Sequence, residues 1–228
     1  MLGMGFSAKP ARYEYSVADH ADMHEALLAS LGVTKCHVLA HDIGDSVAQE
    51  LLARGRLEIR SITWLNGGLF YEAYTPRLVQ RLLSTTPLGD VVARWSRVVL
   101  TDRVLDRTLD ELFGPDTKPS ARLLEQFHQI MDYNDGRRVT HKVGRFVVDR
   151  YHHRNRWVRA MRETKVPMRL INGPYDPNSG RHMAERYREL IPDPDVVMLA
   201  ERIGHWPQIE DPDGVLSAFL DFFERVEP

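Results

Sequence analysis

The chain has 228 residues, of which 43% are hydrophobic, and a formal net charge of −2 at pH 7. This length suits one domain, or a domain with an insertion, and the balanced charge argues against binding to nucleic acid or to an anionic membrane surface. The sequence shows no apolar run of the ~20 residues that a membrane span needs, and no signal-peptide pattern.

Residues 1–70 alternate predicted helices and strands after an initial loop. Ser16, followed three residues later by Asp19, is a helix-capping pattern, and apolar residues then recur at helical spacing as far as Gly32. The predicted elements, in chain order, are a loop over 1–12, a helix from 16 to 32, a strand over 36–40, a helix over 46–55 and a strand over 59–68.

Residues 71–164 have a different texture, because strand-like alternation disappears. Arginine-rich helical segments replace it, and turns such as TPLGD, FGPDTKPS and NDG separate them. The predicted helical segments are LVQRLL, VVARWSRVVL, ARLLEQFHQIM and THKVGRFVVDRYHHRNRWVRAM. This block is too long for a simple crossover between two strands, so we interpret it as an inserted helical cap.

Residues 165–228 return to the alternating pattern. The predicted elements here are a strand over 166–174, a helix over 183–190, a strand over 195–199 and an amphipathic helix over 214–226. Alternation of strands and helices favours an α/β fold with a parallel sheet flanked by helices. We therefore predict a core built from 1–70 and 165–228, interrupted by a cap at 71–164.

The stretch VLAHDIGDSVAQELL, residues 38–52, indicates a strand that turns sharply into a helix, with one residue exposed at the tip. Two residues could stand at the tip, because each has small residues two positions before and after it. One is Asp42, and the other is Ser46, whose surroundings nearly match the serine-hydrolase pattern. The Asp42 register is favoured, because the Ser46 register would bury the carboxylates of Asp42 and Asp45 in the strand at high cost. Taken alone, Asp42 could also be a helix N-cap.

Two further loops carry residues suited to catalysis. Asp176 in INGPYDP follows a predicted strand, and His205 in RIGHWPQIEDP follows the last one. Loops at the carboxyl ends of parallel strands converge on one crevice. The chain order Asp42, Asp176, His205 is that of nucleophile, acid and histidine in α/β-hydrolases.

These segments, together with LGMGFSAKP at 2–10, resemble the α/β-hydrolase superfamily. More narrowly they are similar to its aspartate-nucleophile branch, the epoxide hydrolases and haloalkane dehalogenases, and HDIGDSVAQELL with WLNGGLF is most similar to the mesoderm-specific-transcript-like subgroup. The resemblance implies that Asp42 attacks a small, apolar electrophile and forms an alkyl ester. His205, oriented by Asp176, then activates water, and the N–H of Ile43 is one oxyanion donor.

Two departures from that branch concern the substrate. Dehalogenases usually have a tryptophan after the nucleophile, and Ile43 has no donor in its side chain, which favours an epoxide over a halide. Epoxide hydrolases use cap tyrosines to protonate the epoxide oxygen. The candidate crevice residues in or beside the cap are Tyr71, Tyr74, Tyr133 and Tyr151, with Trp206 next to His205 as a further one.

A third departure is that the family's earlier strands, and the loop that donates the second oxyanion N–H, have no counterpart. We expect an N-terminally incomplete chain in which CHVLA becomes an exposed sheet edge. A homodimer that pairs such edges, a catalytically silent binding protein and a Ser46 esterase remain alternatives. The subgroup can carry a membrane segment, but this chain contains none.

The cysteine and histidine content indicates the compartment and the cofactors. Cys36 is the single cysteine, so no internal disulfide can form, which favours a reducing, cytoplasmic location. The ten histidines show no Cys/His spacing typical of zinc sites. We therefore expect a small-molecule substrate and neither a metal nor another cofactor.

Overall fold

The computed structural model describes residues 1–75 and 101–227. Within them, four strands form one sheet in which every neighbouring pair is parallel. The strands are β1 Lys35–His41, β2 Glu58–Leu65, β3 Met168–Asn172 and β4 Asp195–Met198, and their order in the sheet is β1-β2-β3-β4. The predicted parallel sheet is therefore confirmed.

Nine helices and one 3-10 segment accompany the sheet in the described ranges. They are α1 Val17–Ser30, α2 Ile43–Arg54, α3 Asp102–Leu112, α4 Ala121–Asp132, the 3-10 segment Tyr133–Val139, α5 Thr140–Val143, α6 Phe146–Glu163, α7 Arg181–Leu190, α8 Pro207–Glu210 and α9 Pro212–Val226. Local chemistry sets several of their ends. The Ser16 hydroxyl accepts a hydrogen bond from the N–H of Asp19 at the start of α1, as the capping pattern predicts. Gly55 ends α2 in the left-handed conformation.

Some predicted bounds were wrong. Helix α2 begins three residues before the predicted start at Ser46, because the chain turns at Asp42. The segment predicted as one helix from Thr140 is divided by Gly144 into α5 and α6. The predicted helices LVQRLL and VVARWSRVVL lie in 76–100, outside the described residues. The described helices between β2 and β3 are α3 to α6, and the division into core and cap stays a prediction.

The core lies on both faces of the sheet, because alternate strand residues point in opposite directions. Trp64 of β2 and Leu170 of β3 are buried in the larger apolar cluster, which includes residues of α2 and α6. Leu65 and Ile171 point to the other face and pack with Val215 of α9. Both faces are thus covered by helices, which leaves the strand ends and the loops after them to form a site.

Strand β1 is an edge of the sheet formed by the described residues, and Leu39 within it is 50% exposed. The apolar edge predicted at CHVLA is present in this part of the chain. Among the helices of residues 1–75 and 101–227, none combines the length and the apolar character needed to cross a bilayer.

Candidate active site

Asp42 is the single residue between the end of β1 and the start of α2. Its backbone has φ 51° and ψ −109°, a conformation that is strained for a residue with a side chain. The turn lies against Gly67, where an added Cβ would overlap the carboxylate of Asp45 and come within 3.0 Å of the Asp42 carbonyl oxygen. This close approach explains why a glycine follows β2, and it fixes the tip of the turn at Asp42.

The loops after β3 and β4 bring Asp176 and His205 to the same end of the sheet. His205 Nδ1 lies 2.9 Å from Asp176 Oδ2, and His205 Nε2 lies 3.8 Å from Asp42 Oδ2. The first distance is that of a hydrogen bond, whereas the second is longer than one. The predicted acid and histidine are therefore side by side, with the imidazole facing Asp42.

Asp176 is held in place by several donors. The Ser179 hydroxyl donates to Oδ2 at 2.6 Å, and the N–H of Asn178 donates to Oδ1 at 2.8 Å. Asn66, the residue after β2, donates its amide to Oδ2 at 3.1 Å and also bridges to Gly173. Sequence reasoning missed Asn66, although its position directly after a strand was a usable signal.

The three ionisable groups stabilise one another's charges. Burial raises the pKa of Asp42, but the cations of His205 and Arg150 outweigh burial and hold that pKa below its ordinary value. Burial opposes the charged form of His205, yet Asp176 and Asp42 raise the pKa of the imidazole above its ordinary value. Burial also opposes ionised Asp176, and the His205 cation lowers that pKa. The two carboxylates therefore favour the protonated form of the imidazole that lies between them.

His41, the last residue of β1, supports the loop that carries His205. Its Nε2 lies 2.7 Å from the backbone carbonyl oxygen of His205, and its Nδ1 lies 3.4 Å from the amide nitrogen of Gln208. Burial and the nearby His205 charge lower the pKa of His41 to about 4. A neutral His41 that donates from Nε2 to the carbonyl and accepts at Nδ1 satisfies both contacts.

Arg150 of α6 reaches the back of the elbow, and sequence reasoning missed it. Its side chain is 1% exposed. The guanidinium donates to the Ser46 hydroxyl at 2.7 Å and to the backbone carbonyl of Asp42 at 2.8 Å. Nothing in the arginine-rich segment RFVVDRYHHRNR distinguishes this arginine from its neighbours.

Ser46 and Asp45 both lie in the first turn of α2 and are fully buried. The Ser46 hydroxyl bonds to Arg150. Burial, followed by the negative charge of Asp42, raises the pKa of Asp45 well above its ordinary value, although Arg150 and His205 oppose this. Burial therefore favours the neutral form of Asp45.

A cavity of about 370 Å³ opens beside Asp42 and Ile43. Its walls are mainly apolar, and the larger side chains that line it are Phe127, Ile130, Met131, Val143, Phe146 and Trp206. Lys9 also lines the cavity, and its ammonium donates to the carbonyls of Gly5 and Ser7. Ile43 lines the cavity and is the first residue of α2, so its N–H has no partner within the helix.

The four candidate tyrosines are not among the residues that line this cavity, and their part in a substrate site stays a prediction. Tyr71 and Tyr151 pack on each other, with ring centroids 5.2 Å apart. Tyr74 covers the guanidinium of Arg150, and Tyr133 packs edge-on against Phe6. Each of these rings packs against the partner named, whereas Trp206 lines the cavity.

No group of three or more histidine, cysteine, aspartate or glutamate side chains is arranged to hold a metal ion in the described part of the chain. The polar groups that the fold brings together at the strand ends are instead Asp42, His205 and Asp176. Their arrangement can supply a nucleophile, a base and an orienting acid.

Comparison with known proteins shows the family to which the chain belongs. Residues 1–212 match the family model described as alpha/beta hydrolase fold, so the chain belongs to the α/β-hydrolase family. Within that family it is related to the mesoderm-specific transcript protein of Mus musculus. The two are 38% identical over 230 residues, which cover 97% of this chain and 68% of that protein.

Two solved structures illustrate the shared fold. Epoxide hydrolase CorEH superposes with a TM-score of 0.77 at 20% identity, over 99% of this chain and 80% of that one. Haloalkane dehalogenase DbeA from Bradyrhizobium elkani superposes with a TM-score of 0.78 at 19% identity, over 99% and 79% respectively. At this level of identity the likeness concerns the fold.

Proposed function

We propose that the protein is a hydrolase that forms an alkyl ester at Asp42 and acts on a small, mainly apolar epoxide. The observation that carries the proposal is Asp42 at the strained elbow, facing His205, which is paired with Asp176. The apolar cavity beside Asp42 suits an uncharged substrate.

In the first step, a carboxylate oxygen of Asp42 attacks an epoxide carbon, and the ring C–O bond breaks. A carboxylate is a weak nucleophile in water, but one that is oriented and shielded from water is effective against a strained ring. The oxygen that leaves becomes an alkoxide and takes up a proton. His205 holds a proton in the resting site, and its pKa falls once Asp42 becomes a neutral ester, so the imidazole can release that proton.

In the second step, neutral His205 accepts a proton from water while the water oxygen attacks the ester carbon of Asp42. Asp176 orients the ring and stabilises the imidazolium that forms again. The N–H of Ile43 stabilises the oxyanion of the tetrahedral intermediate. Collapse of that intermediate releases a diol and restores both the Asp42 carboxylate and the His205 cation.

The choice of an epoxide over a halide rests on Ile43. A departing halide needs donors, and the isoleucine side chain next to Asp42 has none. The CorEH and DbeA structures bear the names of both activities, so the fold is compatible with either.

The test is hydrolysis of a small epoxide, such as styrene oxide, in heavy-oxygen water, followed by mass spectrometry of the peptide that contains Asp42. Repeated turnover should place the heavy oxygen in the Asp42 carboxylate, because water attacks the ester carbon and not the substrate. Asp42→Asn, which lacks the carboxylate, is the control. Turnover without label in that peptide would exclude the ester mechanism.

A further inference from the structure

We propose that Arg150 is a positioning residue for Asp42, which it holds by its backbone and its side chain together. The kinetic part of the inference rests on the proposed function, whereas the electrostatic part does not depend on any substrate. Arg150 lies in α6, and Asp42 follows β1, so the two residues are far apart in the sequence.

Arg150 contacts both the backbone and the side chain of Asp42. Arg150 Nη2 donates to the Asp42 backbone carbonyl at 2.8 Å and lies 3.5 Å from Asp42 Oδ1. Arg150 Nε donates to the Ser46 hydroxyl at 2.7 Å. Arg150 Nη2 is thus close to both the backbone carbonyl and the Oδ1 atom of Asp42. The other carboxylate oxygen of Asp42, Oδ2, faces His205. The positive charges on both sides favour this orientation of the carboxylate.

The guanidinium is itself held rigidly. Its central carbon lies over two aromatic rings, 4.7 Å from the centroid of Tyr74 and 4.5 Å from that of Phe146. Gly68 leaves room for it, because a Cβ at that position would overlap Nη1. A planar cation that stacks on aromatic rings keeps its position better than a flexible ammonium does. Arg150 is therefore preorganised before any substrate arrives.

Arg150 has a second effect on Asp42, because its positive charge favours the ionised carboxylate. The titratable groups that face Asp42 are His41, Asp45, Arg150 and His205. Burial lowers the pKa of His41 to about 4 and raises the pKa of Asp45, so it favours the neutral form of both. Among the described residues, Asp42 is the carboxylate that lies within 4 Å of the Arg150 guanidinium. Two cations therefore keep Asp42 ionised, and Arg150 is the one that gives up no proton during the reaction.

The electrostatic test removes the other cation first. In a His205→Gln background, Asp42 can be titrated by carbon NMR of protein labelled at the aspartate carboxyl, with the Asp42 signal assigned from its absence in Asp42→Asn. Adding Arg150→Met should raise the proton affinity of Asp42 about tenfold or more, since an opposite charge at this range has an effect of that size. Adding Arg150→Lys, which keeps a charge, should change it less.

Arg156→Met in the same background is the matched control. Arg156 lies in the same helix and also binds a buried acid of α2, but that acid is Glu50, away from the elbow. Equal titration of Asp42 with Arg150→Met and with Arg156→Met would overturn the proposal, whether or not the protein opens epoxides. If the Met variant does not fold, the Lys variant decides. A tenfold or larger rise in the proton affinity of Asp42 in the Lys variant, which keeps the positive charge, would also overturn the proposal.

The kinetic test uses the otherwise native protein in single turnovers. Arg150→Met should slow formation of the Asp42 ester about 10²-fold, because loss of orientation at the reacting group costs about this much. It should also move the acid limb of the pH profile to higher pH, and Arg150→Lys should restore the limb but only part of the rate. Slower ester formation with an unmoved acid limb would show a merely structural role and contradict the proposal.

Discussion

His205 and Asp42 face each other across the end of the sheet, with Nε2 and Oδ2 separated by 3.8 Å. At this separation the two groups attract each other mainly as charges, and neither is tied to the other by a short hydrogen bond. The carboxylate oxygen therefore remains available for attack on a substrate. The opposite ring nitrogen of His205 is bound to Asp176, which is 2% exposed.

Asp42→Asn and Ser46→Ala distinguish the two elbow registers. We expect Asp42→Asn to slow epoxide hydrolysis by at least about 10³-fold, because it removes the attacking group. Ser46→Ala should stay within about tenfold of the native rate, because it removes one hydrogen bond to Arg150. Steady-state rates with an epoxide and with a p-nitrophenyl ester measure both. Loss of ester turnover in Ser46→Ala alone would identify a serine esterase.

His205→Gln should separate the two chemical steps. Without the imidazole, Asp42 can still be alkylated, more slowly and with water as the proton source for the alkoxide. The ester should accumulate because no base activates water for the second step. Intact-protein mass spectrometry after incubation with an epoxide should show a gain equal to the mass of the substrate. Asp42→Asn/His205→Gln is the control, and a mass gain that persists in it would place the adduct on another residue.

Glu50→Gln should destabilise the contact between α2 and α6. The Glu50 carboxylate accepts hydrogen bonds from Arg54, Arg156 and the indole of Trp157 at 2.7–2.9 Å, and it is buried. We expect a loss of about 2 kcal/mol in the free energy of unfolding at pH 7, since bonds to a charged group are being weakened. Urea denaturation measures this loss. Glu58→Gln, at an exposed residue, should cost little.

The stability difference between the native protein and Glu50→Gln should depend on pH. Burial opposes ionised Glu50, but its partners lower the pKa from 4.5 to about 2. A lowered pKa contributes stability above the ordinary pKa of 4.5 that is lost as the pH falls through the folded value. The stability difference between the native protein and Glu50→Gln should therefore be complete at pH 7 and shrink below pH 4.5. A difference that grows on acidification would contradict this assignment.

Gly67→Ala should disturb the elbow, whereas Gly44→Ala should not. A Cβ at Gly67 would overlap the buried Asp45 carboxyl, but a Cβ at Gly44 would meet Ala40 at an ordinary 3.9 Å. We expect Gly67→Ala to lower the free energy of unfolding by about 1–3 kcal/mol through overpacking. Gly44→Ala in α2 should be neutral or stabilising by up to about 1 kcal/mol. Thermal unfolding of the two variants compares them directly, and equal effects would contradict the close approach at Gly67.

The amino-acid sequence by itself determined the strand–helix alternation, the sharp turn at Asp42 and the chain order of Asp42, Asp176 and His205. These features depend on hydrophobic periodicity and on the sterics of a few adjacent residues, which are local. The tertiary structure alone decided that Arg150 is buried behind the elbow and that the candidate tyrosines are not among the residues that line the cavity. Those outcomes depend on contacts between residues distant in the chain, and the segment around Arg150 is rich in arginines that are locally equivalent.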